Sequence, residues 1–327
     1  MRLRNSVIVW AGVVVIILLT YLSVWEPAFW IFNDRSLANP QIPSVISQRV
    51  LARATWAFST TATEVRVINL LFHLCNTALV ALVLRRLCSN LLIVAVVTLL
   101  WATNIVNVEA IAYAAGRSDL LAMTGVLIAT LAAVSDDISW EWWALVGACI
   151  GLASKEVAIV VLAVIPLVRY ATHQSWEGEA LICATMAVMA IWAFGGPTAI
   201  IEMELHSQHV SMLDWFMIQS VAVFRLIGVA LLVAVPTIDY DYDLVSAVVR
   251  GISAVSLIAA FIFTTHQLRQ GKRWALGAMW LMVTILPRLF VQTPRSYLNE
   301  HQFYISSVGL AMLVVYQFGG HSAEEIK

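Results

Sequence analysis

Eleven apolar runs of spanning or near-spanning length succeed one another along the chain, at 7–25, 67–84, 91–104, 119–134, 142–153, 157–168, 180–195, 219–235, 245–265, 274–291 and 303–318. A water-soluble fold has no means of covering so much apolar surface. Of the 327 residues 61% are hydrophobic and 12% charged, whereas soluble domains run nearer half apolar and a quarter charged. The chain therefore reads as an all-α polytopic membrane protein forming one transmembrane domain over 1–327. The first run, Val7 to Trp25, is too long for a cleaved signal and lacks a small-x-small site, so a retained signal anchor is expected. A net charge of −1 and the lack of a Lys/Arg block exclude a nucleic-acid partner. Cys75, Cys88, Cys149 and Cys183 lie in or beside apolar runs without C-x-x-C spacing, which suits packing rather than disulfides or zinc.

Basic residues orient the spans. Arg2 and Arg4 place the N-terminus in the cytoplasm, and Arg85, Arg86 and Arg169 fall inside after the second and sixth spans. If all eleven runs cross, the densest basic loop, with Arg269, Lys272 and Arg273, falls outside. Treating 219–235 as a re-entrant or interfacial helix removes that conflict, and Arg225 and Pro236 suit such a segment. The expectation is about ten crossings with both termini inside. The polar stretches 26–66, 104–119, 154–156, 196–243 and 292–302 then open on one outer face. The first, 26–66, forms the first outer loop with short helices, and 196–243 forms the second large outer region. Ionisable residues converging at membrane depth are the usual mark of a site.

Asp34, in "FNDRSLANP", reads either as a general base at the end of the first span or as a turn-forming acid. In "NVEAIAYAAGRSDLLA", residues 107–122, Glu109, Arg117 and Asp119 flank the entry to a span. Arg117 either grips an anionic phosphate with its guanidinium fork or pairs with Asp119 at the helix start. Lys155 and Glu156, in "GLASKEVAIV", form either a solvated turn or a phosphate contact. Asp239, Asp241 and Asp243 alternate with tyrosines but lack the glycine and terminal glutamate of a calcium loop. Arg295, Glu300, His301 and Tyr304 precede the last span, as interfacial anchors or as a grip on a lipid-linked phosphate. His73, His173, His206, His209, His266 and His321 make no ligand pattern, and no metal ligand set is assigned.

Taken in order, six motifs across about 30–310 resemble the glycosyltransferase C superfamily, in particular the membrane part of the transmembrane and tetratricopeptide-repeat O-mannosyltransferases and their bacterial relatives. They read "NDRSLANP", "NLLFHLCNTALVALVLRRL", "NVEAIAYAAGRSDLLA", "LASKE", "RLIGVALLVAVPTIDYDYD" and "NEHQFYISSVGL". The resemblance implies a helical bundle that moves a sugar from a polyprenyl-phosphate-linked donor to a protein or glycan hydroxyl on the extracytoplasmic side, by inverting displacement. It puts Asp34 in the place of the catalytic acid and Glu109, Arg117, Asp119, Lys155 and Glu156 in the pocket, with Arg225, Arg295 and Glu300 as neighbours. A bacterial inner membrane, with the site facing the periplasm or exterior, is the expected location. Membrane lipid is an expected partner, with a protein partner in place of the repeats, which are expected to be absent. No cofactor is expected, because only one acid remains in the first motif and basic residues then hold the phosphate in place of a divalent cation. The chain departs from the family at Asn33, Asn107, His301 and Ser306. Those departures support the alternative of a non-catalytic relative that binds lipid or assembles a complex.

Overall fold

The computed structural model describes residues 2–22, 49–59, 61–135, 140–172, 211–236, 245–290 and 299–318. Asp34, Arg295, the acids at 239, 241 and 243, and the expected span 180–195 lie outside them. Every regular element among the described residues is helical, as the unbroken apolar runs require. In order they are α1 (Arg2–Thr20), α2 (Val50–Trp56), α3 (Ala62–Leu87), α4 (Leu91–Ala102), α5 (Val108–Ala112), α6 (Arg117–Ala133), α7 (Trp140–Ser154), α8 (Val161–Ala171), α9 (Met212–Ala230), α10 (Ala247–Arg269), α11 (Trp274–Phe290), α12 (Glu300–Phe303) and α13 (Ser307–Phe318).

Local chemistry sets the boundaries. Thr61 and Glu64 cap α3 reciprocally, each side chain accepting from the other's backbone N–H at 3.1 Å. That box starts the helix ahead of its first long apolar stretch, and Arg85 and Arg86 close it where cations favour the helix dipole. Asn90 Oδ1 accepts from Leu92 and Ile93 to open α4. Ser211 Oγ accepts from Asp214 N and opens α9 seven residues before the apolar run expected at 219–235. Residues 219–230 of the segment expected to be re-entrant or interfacial belong to a 19-residue helix, which is also long and apolar enough to cross a membrane.

Among the described residues four helices meet that length and composition: Ala62–Leu87, Ala114–Ala133, Met212–Ala230 and Ala247–Arg269. A fifth arises if α4 and the Ile105–Ala112 piece, bent by 51°, count as one broken span. Ser6–Thr20, Trp274–Phe290 and Ser307–Phe318 are apolar but shorter. The expected spans 142–153 and 157–168 take a different form. The 15-residue α7 rises only about 22 Å, short of a hydrocarbon core of roughly 30 Å. A 3₁₀ turn, Glu156–Val160, then leads into the 11-residue α8.

The larger core is built by α1, α3, α4, α6, α7, α8, α11 and α13, and a smaller one by α9, α10 and α11. Helix α10 is the least buried of the four long helices, with exposed Val248, Ile252, Val255 and Ile262 suited to lipid. Between α6 and α7 the backbones nearly touch. A Cβ on Gly125 would lie 2.4 Å from both Gly147 O and Gly151 N, and one on Gly147 would lie 2.6 Å from Ala129 N. Association in lipid relies on such close backbone packing, because burying apolar groups there gains little. Gly125→Ala should therefore lower stability by about 1–3 kcal/mol in a detergent melt. Gly251→Ala, with nothing within 4 Å, should be neutral or slightly stabilising. Equal melts for the two variants would rule out the close contact.

Candidate functional site

Two breaks in the helices present the charged residues. The Ala114–Gly116 turn delivers Arg117 and Asp119 to the first turn of α6. After α7, Lys155 is extended (φ −160°, ψ 143°) while its N–H still closes onto Gly151 O at 2.9 Å. Its ammonium reaches back across the α6–α7 contact and donates to both Asp119 oxygens at 2.7 Å. Glu156 points to Arg49, at the start of α2, which grips it with Nη2–Oε1 at 2.5 Å and Nε–Oε2 at 3.0 Å. Asp119, Lys155, Glu156 and Arg49 therefore form one chain of alternating charge.

Arg288 of α11 extends this group. Its charge acts on Glu156, Asp119 and Arg49, and its Nε donates to Gln302 Oε1 at 3.0 Å. Among the described residues, three cations against two acids leave the group at +1. Burial pulls the Lys155 ammonium below the usual lysine range and Arg49 adds to that, while Asp119 and Glu156 oppose it. Burial pushes the Glu156 carboxyl up, but Arg49 and then Lys155 outweigh it and leave it below the ordinary carboxylate value. The inner pair, Asp119 and Lys155, is 3% and 11% exposed, and removing one member of such a pair is strongly destabilising.

A second group sits one helix turn along α12. His301 N donates to Glu109 Oε2 at 2.9 Å, and its Nδ1 lies 3.0 Å from Glu109 Oε1 without hydrogen-bond geometry. Glu300, 4% exposed, hydrogen-bonds to the Glu109 carboxyl. Burial raises the Glu109 carboxyl, but the His301 contacts prevail and hold it below the ordinary value. The Tyr113 ring packs on His301 at 5.7 Å. Gln302, bonded to Arg288, joins this group to the first.

Arg117 stands apart from both. It is fully buried, and it does not pair with Asp119, whose oxygens go to Lys155. Its Nε donates to Asn69 Oδ1 at 3.0 Å, Nη1 to Thr55 O at 2.9 Å and Ser59 Oγ at 3.0 Å, and Nη2 to Val65 O at 3.1 Å. Four of the five guanidinium N–H donors are thus held by neutral protein oxygens. The bidentate phosphate grip expected of Arg117 is not available in this arrangement. The contact described for Arg225 runs from Nη2 to Val235 O at 3.5 Å, just beyond its own helix.

Arg49 and Arg288 fall in no motif, and Asn69, His73 and Asn76 of α3 lie in the "NLLFHLCN" motif without an assigned role. Those three residues recur at i, i+4 and i+7, all fully buried on an apolar helix. That spacing was the available signal, since polar groups inside an apolar span need partners. They satisfy the carbonyls that the helix breaks leave open. His73 Nε2 and Tyr21 OH both donate to Ala102 O, at 3.0 and 2.9 Å. A carbonyl only accepts, so the ring proton belongs on Nε2 and Nδ1 accepts from Tyr304 OH at 2.7 Å. Asn76 Nδ2 donates to Leu120 O, and Asn69 Nδ2 to Ile111 O and Tyr113 O. Asn107, where the resembled family carries histidine, donates to Trp101 O at 2.6 Å. This network holds the α4–α5 and α5–α6 breaks, and with them Glu109 and Asp119, in place.

Among the described residues no three His, Cys, Asp or Glu side chains are grouped to hold a metal ion. Comparison with protein-family models, with curated proteins and with solved structures found no match.

Proposed function

We propose that the chain is a membrane glycosyltransferase of the glycosyltransferase C type, taking a polyprenyl-phosphate-linked sugar and passing it to a hydroxyl acceptor on the extracytoplasmic side. The observation that carries the proposal is the charge chain Asp119–Lys155, Glu156–Arg49. It joins the "GRSDLLA" and "LASKE" motifs to Arg49 at the start of α2. Such a mixed, partly buried cluster is costly in an apolar bundle and is what an anionic headgroup needs. The reading keeps both termini inside and takes α9 as an interfacial rather than a crossing helix, which opens this cluster outward.

In this mechanism Asp34 takes the acceptor hydroxyl's proton as the oxygen attacks the anomeric carbon. The bond to the phosphate oxygen breaks and polyprenyl phosphate leaves. Lys155, with two of its three N–H donors on Asp119, has one left for the leaving oxygen. The alternative of a non-catalytic lipid-binding subunit draws support from Arg117 and Asn107, whose described hydrogen bonds serve the scaffold.

Purified full-length chain in nanodiscs, supplied with a panel of polyprenyl-phosphate hexoses and hydroxyl-bearing peptides and glycans, should release polyprenyl phosphate in an acceptor-dependent manner. Donor binding without release across the panel would favour the non-catalytic reading.

A further inference from the structure

Resting on that reading, we infer that Arg49 is the guanidinium that receives the donor phosphate, and that the Glu156 carboxylate holds the phosphate's place while the site is empty. The four basic side chains of this region differ in what they hold. Arg117 is fixed by four neutral oxygens, all on buried or half-buried residues that would lose their donor if it turned to a ligand. Lys155 is locked onto Asp119 by two short bonds deep in the bundle. Arg288 is held at Gln302. Arg49 presents its fork, Nε and Nη2 together, to a single carboxylate, a contact seen for none of the other three among the described residues.

That carboxylate is the most exposed member of the chain. The Glu156 side chain is 37% exposed and Arg49 19%, against 3% for Asp119. Glu156 can therefore turn toward water without leaving a buried charge unpaired. Two parallel N–H···O bonds to a carboxylate have the same geometry as two to a phosphate, so the ligand replaces Glu156 bond for bond. The charge balance runs the same way. With Glu156 turned out, the described charges, Arg49, Lys155 and Arg288 against Asp119, give +2. A phosphodiester donor carries one negative charge and the departing phosphate monoester close to two, so the site matches the group as it leaves.

The full chain in detergent micelles is to be titrated with farnesyl phosphate and, separately, inorganic phosphate, with unliganded melts recorded for every variant. Wild type should bind farnesyl phosphate more tightly than inorganic phosphate. Arg49→Lys keeps the charge but loses the fork, and should weaken farnesyl phosphate binding about tenfold. Glu156→Gln removes the competing anion and should strengthen binding several-fold. If Glu156→Gln does not fold, Glu156→Asp, which keeps the charge but cannot fill the same fork, should strengthen it instead. Arg49→Lys binding like wild type, or a Glu156 variant binding as weakly as Arg49→Lys, would make the pair a structural latch and overturn the assignment alone. Equal affinity for the two probes overturns the lipid source of the phosphate. Wild type that does not bind farnesyl phosphate overturns the functional reading itself.

Discussion

Arg117→Ala should leave little folded protein, and Arg117→Lys should lose on the order of 3 kcal/mol of stability while its folded fraction binds a phosphate lipid as wild type does. The magnitude follows from what the guanidinium holds. Thr55 O, Val65 O, Asn69 Oδ1 and Ser59 Oγ all accept from it. Each buried acceptor stripped of its partner costs about 1–3 kcal/mol, and alanine strips all four at once. A lysine ammonium has three donors on one atom and cannot span oxygens that a planar fork reaches from three nitrogens. Thr55 and Ser59 frame the end of α2 and Val65 and Asn69 lie on α3, so the lost bonds also release the segment that follows Asp34. Melting curves and phosphate-lipid titrations on the same preparations separate the two roles. A variant with a normal melt and weak phosphate binding would return Arg117 to the ligand. Combining Arg117→Ala with Asp119→Ala should add to the damage, because the two residues are not partners and Lys155 would lose its own.

The Arg117 case shows where local sequence stops being informative. Asp119 and Arg117 are two positions apart at the start of a helix, so their side chains point in different directions and do not face one another. The partner of Asp119 is instead 36 residues away, across a pair of helices whose approach is set by Gly125, Gly147 and Gly151. Arg49 and Glu156 are 107 residues apart, and Arg49 lies in a stretch without any motif, so nothing local marked it. The helices themselves were more legible. The capping box at Thr61 and Glu64 and the basic closure at Arg85 and Arg86 are contained in the letters around the second apolar run. The start of α9 was misplaced because a hydropathy window centres on apolar residues, whereas Ser211 begins the helix through a hydrogen bond to Asp214. The Asn69, His73 and Asn76 face is readable as a helical period, but the carbonyls it serves belong to other helices and their breaks, which its own letters do not mark.

Asp34→Asn should reduce sugar transfer by about 10²–10⁴-fold while leaving donor binding and the melting curve near wild type. General acid–base groups contribute on this scale when they remove a proton in the transition state. Asparagine is nearly isosteric with aspartate and still accepts a hydrogen bond from the acceptor hydroxyl, so it can position the acceptor. It cannot take the proton, and the attacking oxygen then carries positive charge into the bond-forming step. The donor phosphate, held in this proposal by Arg49 and Lys155, is recognised elsewhere, which is why its binding should survive. Asn33 immediately precedes Asp34 and offers no second carboxylate to take the proton in its place. The decisive comparison sets transfer rate against farnesyl phosphate affinity, measured for wild type, Asp34→Asn and Arg49→Lys. A base loses rate and keeps affinity, and a phosphate ligand loses affinity first. Asp34→Asn with near-normal transfer would remove Asp34 from the chemistry, and Asp34→Asn with weakened donor affinity would move it into the phosphate site.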